Sequence, residues 1–117
     1  METVKYLISQ CADIQAKNNA GDTPLHDAAR VGPNAEVSKY LVSQGANVNA
    51  RNSVGRTPLH HAALYNHNVE ILRYFVSVRG VDVNARNNEG QTPLDYADTD
   101  EKRTILRAAG GKRASEL

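Results

Sequence analysis

Three of the chain's four histidines crowd into eight residues: His60 and His61 in TPLHHAA, and His67 in ALYNHN. Imidazoles at such density raise two chemistries, metal ligation and acid–base transfer. Ligation by a helix asks for two side chains on one face, as at i and i+4 in H-E-x-x-H. His60 and His61 are adjacent, so on a helix they diverge by about 100°. His67 falls beyond the end of the helical pattern, and no Asp or Glu nearby completes a ligand set. Cys11 is the only cysteine, so neither an intrachain disulfide nor an all-cysteine zinc site can form. Gly-rich phosphate loops, G-x-S-x-G and a Cys with a convergent His are all missing. These residues predict no enzyme, no metal and no cofactor.

The elements that position the histidines come from a repeat. GDTPLHDAAR at 21–30 recurs as GRTPLHHAAL at 55–64 and GQTPLDYADT at 90–99, so Thr23, Thr57 and Thr92 stand 34 and 35 residues apart. A second phrase alternates with the first: ADIQAKN at 12–18, ANVNARN at 46–52 and VDVNARN at 81–87. In DTPLHDAA, Thr23 suits a helix N-cap and Pro24 the first helical position, where no amide partner is needed. Leu25, Ala28 and Ala29 then form one narrow apolar face. A second helical pattern follows in each unit: Val37, Tyr40 and Leu41, then Val69, Leu72, Phe75 and Val76. Gly45 and Gly80 stand where a helix end favours a left-handed residue. Asn52–Gly55 and Asn87–Gly90 read as turns. Each unit is helix, turn, helix and an extended loop.

Composition agrees with thin, stacked units. Of 117 residues, 40% are hydrophobic, but only one is Phe and none is Trp. The net charge of +1 supplies no bulk attraction for nucleic acid. Apolar runs are too short for a membrane span, and the N-terminus lacks a signal peptide's apolar core. One cysteine is compatible with a reducing, cytoplasmic setting.

On TPLH at 23–26 and 57–60, TPLD at 92–95 and the two VNA phrases, the chain resembles the ankyrin-repeat family over roughly residues 2 to 110. The resemblance implies a mainly α fold, a solenoid of helix-turn-helix units joined by β-hairpin-like loops. The expected division is a partial repeat over 1–20, repeats over 21–54 and 55–89, a capping repeat over 90–111, and a loose tail over 112–117. Extra residues relative to the usual length of about 33 fall near Pro33-Asn34, Asn68 and Arg79. Asp98, Asp100, Glu101, Lys102 and Arg103 are expected on the outward side of the cap. The resemblance also assigns a structural role to Thr23, His26, Thr57, His60, Thr92 and Asp95, whose third-position side chains bond backbone and join neighbouring loops. His67 matches a structural histidine between the two helices of a unit. His61 aligns with Asp27 and Tyr96, so nothing in the repeat demands histidine there, and it is expected on the surface.

What the family implies about function is binding of a protein partner through loop tips and the open face of the first helices. Carried over by position, the candidates are Arg30, Ser53, Val54, Arg56, His61, Leu64, Tyr65 and Tyr96. Tyr and Arg are enriched at interface hot spots. A basic row, Lys17, Arg51 and Arg86, should align on stacking into a ridge suited to an acidic partner. At the other end, Val4, Leu7, Ile8 and Cys11 form an apolar face without a preceding helix. A longer protein, a covering molecule, self-association through this helix and a frayed terminal helix all remain compatible with it. Cys11 takes the place of Gly45 and Gly80. A side chain held left-handed there costs on the order of 1 kcal/mol. Cys11→Gly should therefore raise the melting temperature, and an unchanged or lowered one would refute the assignment.

Overall fold

The computed structural model describes residues 17–31, 35–66 and 68–117. The partial repeat with Cys11 and Leu7, Pro33-Asn34 and His67 lie outside them. Six α-helices are found among the described residues: α1 (Pro24–Val31), α2 (Glu36–Ser43), α3 (Pro58–Leu64), α4 (Val69–Ser77), α5 (Pro93–Tyr96) and α6 (Asp100–Ala108). No β-strand occurs among these residues. The first helices stack in a row, α1 on α3 on α5, and each packs on the second helix of its own unit. The core is a single cluster running the length of this stack, made from Leu25, Ala29, Leu59, Ala63, Leu94 and their second-helix counterparts Leu41, Ile71, Leu72, Phe75 and Leu106. Ala28, Ala29, Ala62 and Ala63 are all buried. Their small side chains let the helix axes approach closely, which is why so few aromatics suffice.

Local chemistry starts and stops each element. Thr57 is extended at φ −93°, ψ 168° and accepts from the His60 amide, while Pro58 opens α3. Asn68 caps α4 by accepting from the Glu70 amide, and Thr99 caps α6 by accepting from the Lys102 amide. After α2, Gly45 adopts φ +96°, and Gly80 adopts φ +87° after α4. These are left-handed conformations that a side chain would strain. The final unit is shorter because α5 spans four residues and Ala97 leaves the helix at ψ 117°.

The loops form a ladder. Asn18, Asn52 and Asn87 each close a tight turn, with Oδ1 accepting two backbone amides: Ala20 and Asp22, Val54 and Arg56, Glu89 and Gln91. Neighbouring turns are joined through Ser53 N to Ala20 O at 3.1 Å and Asn88 N to Val54 O at 2.9 Å. The turns sit so close that a Cβ on Gly55 would lie 2.7 Å from the Asn88 amide nitrogen. A second row is built by Asn49 and Asn84. Asn49 donates to Gly80 O and accepts from Asp82 N, and Asn84 does the same with Gly110 O and Lys112 N.

Two expectations need correction at the C-terminal end. Lys102 does not face outward; it is 1% exposed. It lies one helical turn before Leu106 on the same side of α6, so the helix that buries Leu106 also buries the lysine stem. Its Nζ donates to Ala63 O at 2.9 Å, at the end of α3, and to Asp98 at 3.0 Å. One unit earlier Asn66 donates to Ala29 O at 3.0 Å, at the matching carbonyl of α1. Residues 112–117 are not loose. Ala114–Glu116 form a 3-10 turn, Lys112 O accepts from Thr92 Oγ1, and Ala114 N donates to Asp95 Oδ2. This segment continues the ladder of loops because Asn84 offers it the same partner that Asn49 offers the loop before, and Asp95 holds it from the slot that His26 and His60 fill in the earlier units.

Removing the Lys102 ammonium leaves the Ala63 carbonyl without its cation. Lys102→Met keeps the stem volume and should lower unfolding stability by about 1–3 kcal/mol in a urea titration. A variant as stable as the parent would show the bond to be immaterial.

Candidate functional site

In α1 and α3 the third helical residue is a histidine with both ring nitrogens engaged. Thr23 N donates to His26 Nδ1 at 3.1 Å, and His26 Nε2 meets Arg56 O at 2.8 Å. Thr57 N donates to His60 Nδ1 at 3.1 Å, and His60 Nε2 meets Gln91 O at 2.9 Å. Backbone amides only donate and carbonyls only accept. Both rings are therefore the neutral Nε2–H tautomer, which leaves no nitrogen free for base catalysis. In α5 the slot holds Asp95, whose Oδ2 accepts from Thr92 N at 2.9 Å.

His61 departs from its expected surface position, being only 3% exposed. Tyr65, one turn on, covers it edge-on with ring centroids 5.3 Å apart, and His26 meets its other side at 5.1 Å. Its Nε2 lies 3.3 Å from Asn52 Nδ2 and 3.8 Å from Asp22 Oδ1, while Nδ1 is buried without a hydrogen-bond partner. Burial pushes its pKa from the ordinary 6.5 down to about 4, with His26 adding to the fall and Asp22 opposing it. Burial also lowers His26 and His60, against the pull of their carbonyl acceptors.

Over this layer lies a connected group of larger side chains. Arg56 is fixed at its backbone, since its amide donates to Asn52 Oδ1 and its carbonyl accepts from His26. Its Nη1 donates to Tyr65 Oη at 3.0 Å and its Nη2 to Tyr96 Oη at 3.5 Å. Its Cζ sits 5.2 Å from the centre of the Tyr96 ring. Tyr96 Oη accepts from Asn87 Nδ2 at 2.7 Å and donates to Gln91 Oε1 at 2.5 Å. Tyr65 is 44% exposed at the end of α3, and Val54 is 45% exposed at the loop tip; Leu64 is half-buried.

The other candidates separate from this group. Arg30 pairs with Asp27 at 3.3 Å on α1. Ser53 bonds Ala20 O through its hydroxyl. The basic row is not a set of free ammonium and guanidinium heads. Lys17 Nζ donates to Arg51 O, and Arg51 Nη2 donates to Arg86 O. Lys17 and Arg51 each reach one unit forward and bind the carbonyl of the next basic residue, so they strap loops together. No helix among the described residues is long and apolar enough to cross a membrane. No three His, Cys, Asp or Glu side chains among them converge so as to hold a metal ion.

A family model described as ankyrin repeats (many copies) matches residues 41–97, and another, ankyrin repeats (3 copies), matches residues 1–52. The chain belongs to the ankyrin-repeat family. Ankyrin repeats are generally non-catalytic protein–protein interaction modules. A search of curated proteins found no match.

Sequence reasoning missed the involvement of Gln91 and Asn87 as the anchors of Tyr96. The signal was only the recurrence of Asn87 as Asn18 and Asn52, which marks a loop position and carries no hint of a phenol, while Gln91 stands where the other units have Asp22 and Arg56. In this ankyrin domain His26, His60 and His61 are held neutral by burial when folded and titrate in the unfolded chain near pH 6.5. Their contribution is thus complete above pH 6.5 and is lost as the pH falls through each folded value, which for His61 is about 4 and for His26 and His60 lies below the ordinary 6.5. Unfolding free energy should drop by about 1.4 kcal/mol per pH unit for each ring that stays neutral. Chemical denaturation at pH 7.5, 6 and 5 reads this directly, and a flat profile would overturn the neutral assignment.

Proposed function

We propose that this chain is a non-catalytic binding module for a partner protein in a reducing, cytoplasmic setting. The partner seats on the loop tips and first-helix ends of the central unit. The observation that carries this reading is the contiguous Arg56–Tyr65–Tyr96 group, with Tyr65 44% exposed and Val54 45% exposed. Aromatic and arginine side chains supply large contact area at small entropy cost when already held in place. Here Tyr96 is held by Asn87 and Gln91, Arg56 by both tyrosines, and its backbone by the loop ladder. His61 contributes from beneath, as the buried support on which Tyr65 rests. Ordering these groups in a complex therefore costs less than ordering free side chains.

Affinity capture with mass spectrometry, using the parent chain and a Leu64→Ala/Tyr65→Ala variant, tests the assignment. Partners retained by the parent should be lost or weakened about tenfold or more in the variant, as expected of an interface hot spot. Undiminished capture by the variant would sink this surface.

A further inference from the structure

The chemistry of the Arg56 cradle narrows the partner further. A guanidinium carries five N–H donors and no acceptor. Two are directed at Tyr65 and Tyr96, and Nε is buried with no acceptor. The remaining Nη hydrogens have no acceptor among the described residues. No carboxylate among those residues pairs with Arg56, whereas Arg30, Lys102, Arg103 and Arg107 each have one. The Tyr65 hydroxyl accepts from Arg56, and no described residue receives its own hydrogen. The Tyr96 hydroxyl is used in both senses. The unfilled valences of the cradle are donors beside a positive charge, which favours an anionic acceptor as its ligand.

We propose that the Arg56 guanidinium, framed by Tyr65 and Tyr96, receives the carboxylate of an aspartate or glutamate side chain on the partner protein; this rests on the partner seating on this face. Two carboxylate oxygens match the planar fork of the guanidinium, which a single point charge would not. A monoanion fits better than a phosphate dianion, because a single guanidinium lies between the two phenols. The histidines beneath are neutral, and Asp22 lies beside His61. Tyr65 borders the cradle with exposed ring surface and Val54 is exposed two residues before Arg56, so apolar residues next to the acid complete the fit. Arg51 and Arg86 on the neighbouring loop row have no carboxylate among the described residues and attract an acidic segment at longer range.

The test uses hexaglutamate, hexaglutamine and inorganic phosphate as probes of the ¹⁵N-labelled chain, with Arg56→Gln and Arg56→Lys variants checked for an unchanged melting temperature. Hexaglutamate should move the Arg56 Nε–H and Tyr65 resonances, and hexaglutamine should not. Arg56→Gln should weaken hexaglutamate binding about threefold to tenfold, with Arg56→Lys in between because it keeps charge and loses the fork. Added salt should weaken the parent more than Arg56→Gln. Equal response to hexaglutamine, no response to hexaglutamate, undiminished binding by Arg56→Gln, or tighter binding of phosphate would each overturn the proposal. With a captured partner, loss on Tyr65→Ala but not on Arg56→Gln rejects the carboxylate and keeps the surface. Retention by both variants rejects the surface itself.

Discussion

The bond from a buried ring nitrogen to the next loop's carbonyl holds this solenoid in register. His26 reaches Arg56 O and His60 reaches Gln91 O, each from a first helix across to a loop about thirty residues away. The same ring accepts from its own cap threonine through Nδ1, so one neutral imidazole ties the start of a helix to the following turn. Protonation would remove the Nδ1 acceptor, which is why these rings must be buried neutral. Asp95 fills the slot in the last unit with the opposite polarity. It has no hydrogen to donate, and instead accepts from Ala114 N. The chain meets this reversal by turning an amide toward it where earlier loops turn a carbonyl.

A second set of ties acts at the far ends of the first helices. Asn66 and Lys102 each donate to the last-turn carbonyl of the preceding first helix, at Ala29 and Ala63. A cation suits such a carbonyl, because the helix C-terminus carries partial negative charge. The helices α1 and α3 are therefore each held at the start by a cap and near the end by a side chain from the next unit. Between these fixed points the alanine faces close on one another with little room for adjustment.

This rigidity is what makes the Arg56 cradle a site. Arg56 leaves a loop whose amide and carbonyl are both bonded, and its guanidinium rests between phenols from two different units. Tyr65 in turn stands on His61, which stands on His26, so the exposed layer is built on the buried one. Stacking of the repeats and shaping of the surface are thus consequences of the same contacts.

Much of the architecture was legible in the residues. The spacing of Thr23, Thr57 and Thr92, the apolar pattern around Leu25, Leu59 and Leu94, and the helix-ending glycines are local preferences repeated until they leave one arrangement. The repeat register also separated His60 from His61 before any coordinate. The burial of His61 was not legible, because it depends on how α1 stacks beside α3 and on where Tyr65 turns. Lys102 looked like surface among Asp98, Asp100, Glu101 and Arg103, although its four-residue spacing from Leu106 was the available clue. The straps of Lys17 and Arg51 and the docking of 112–117 join atoms some twenty to thirty-five residues apart. Periodicity sets what each unit is; the distance and angle at which units stack decide which polar atoms meet, and that is a property of the assembled solenoid alone.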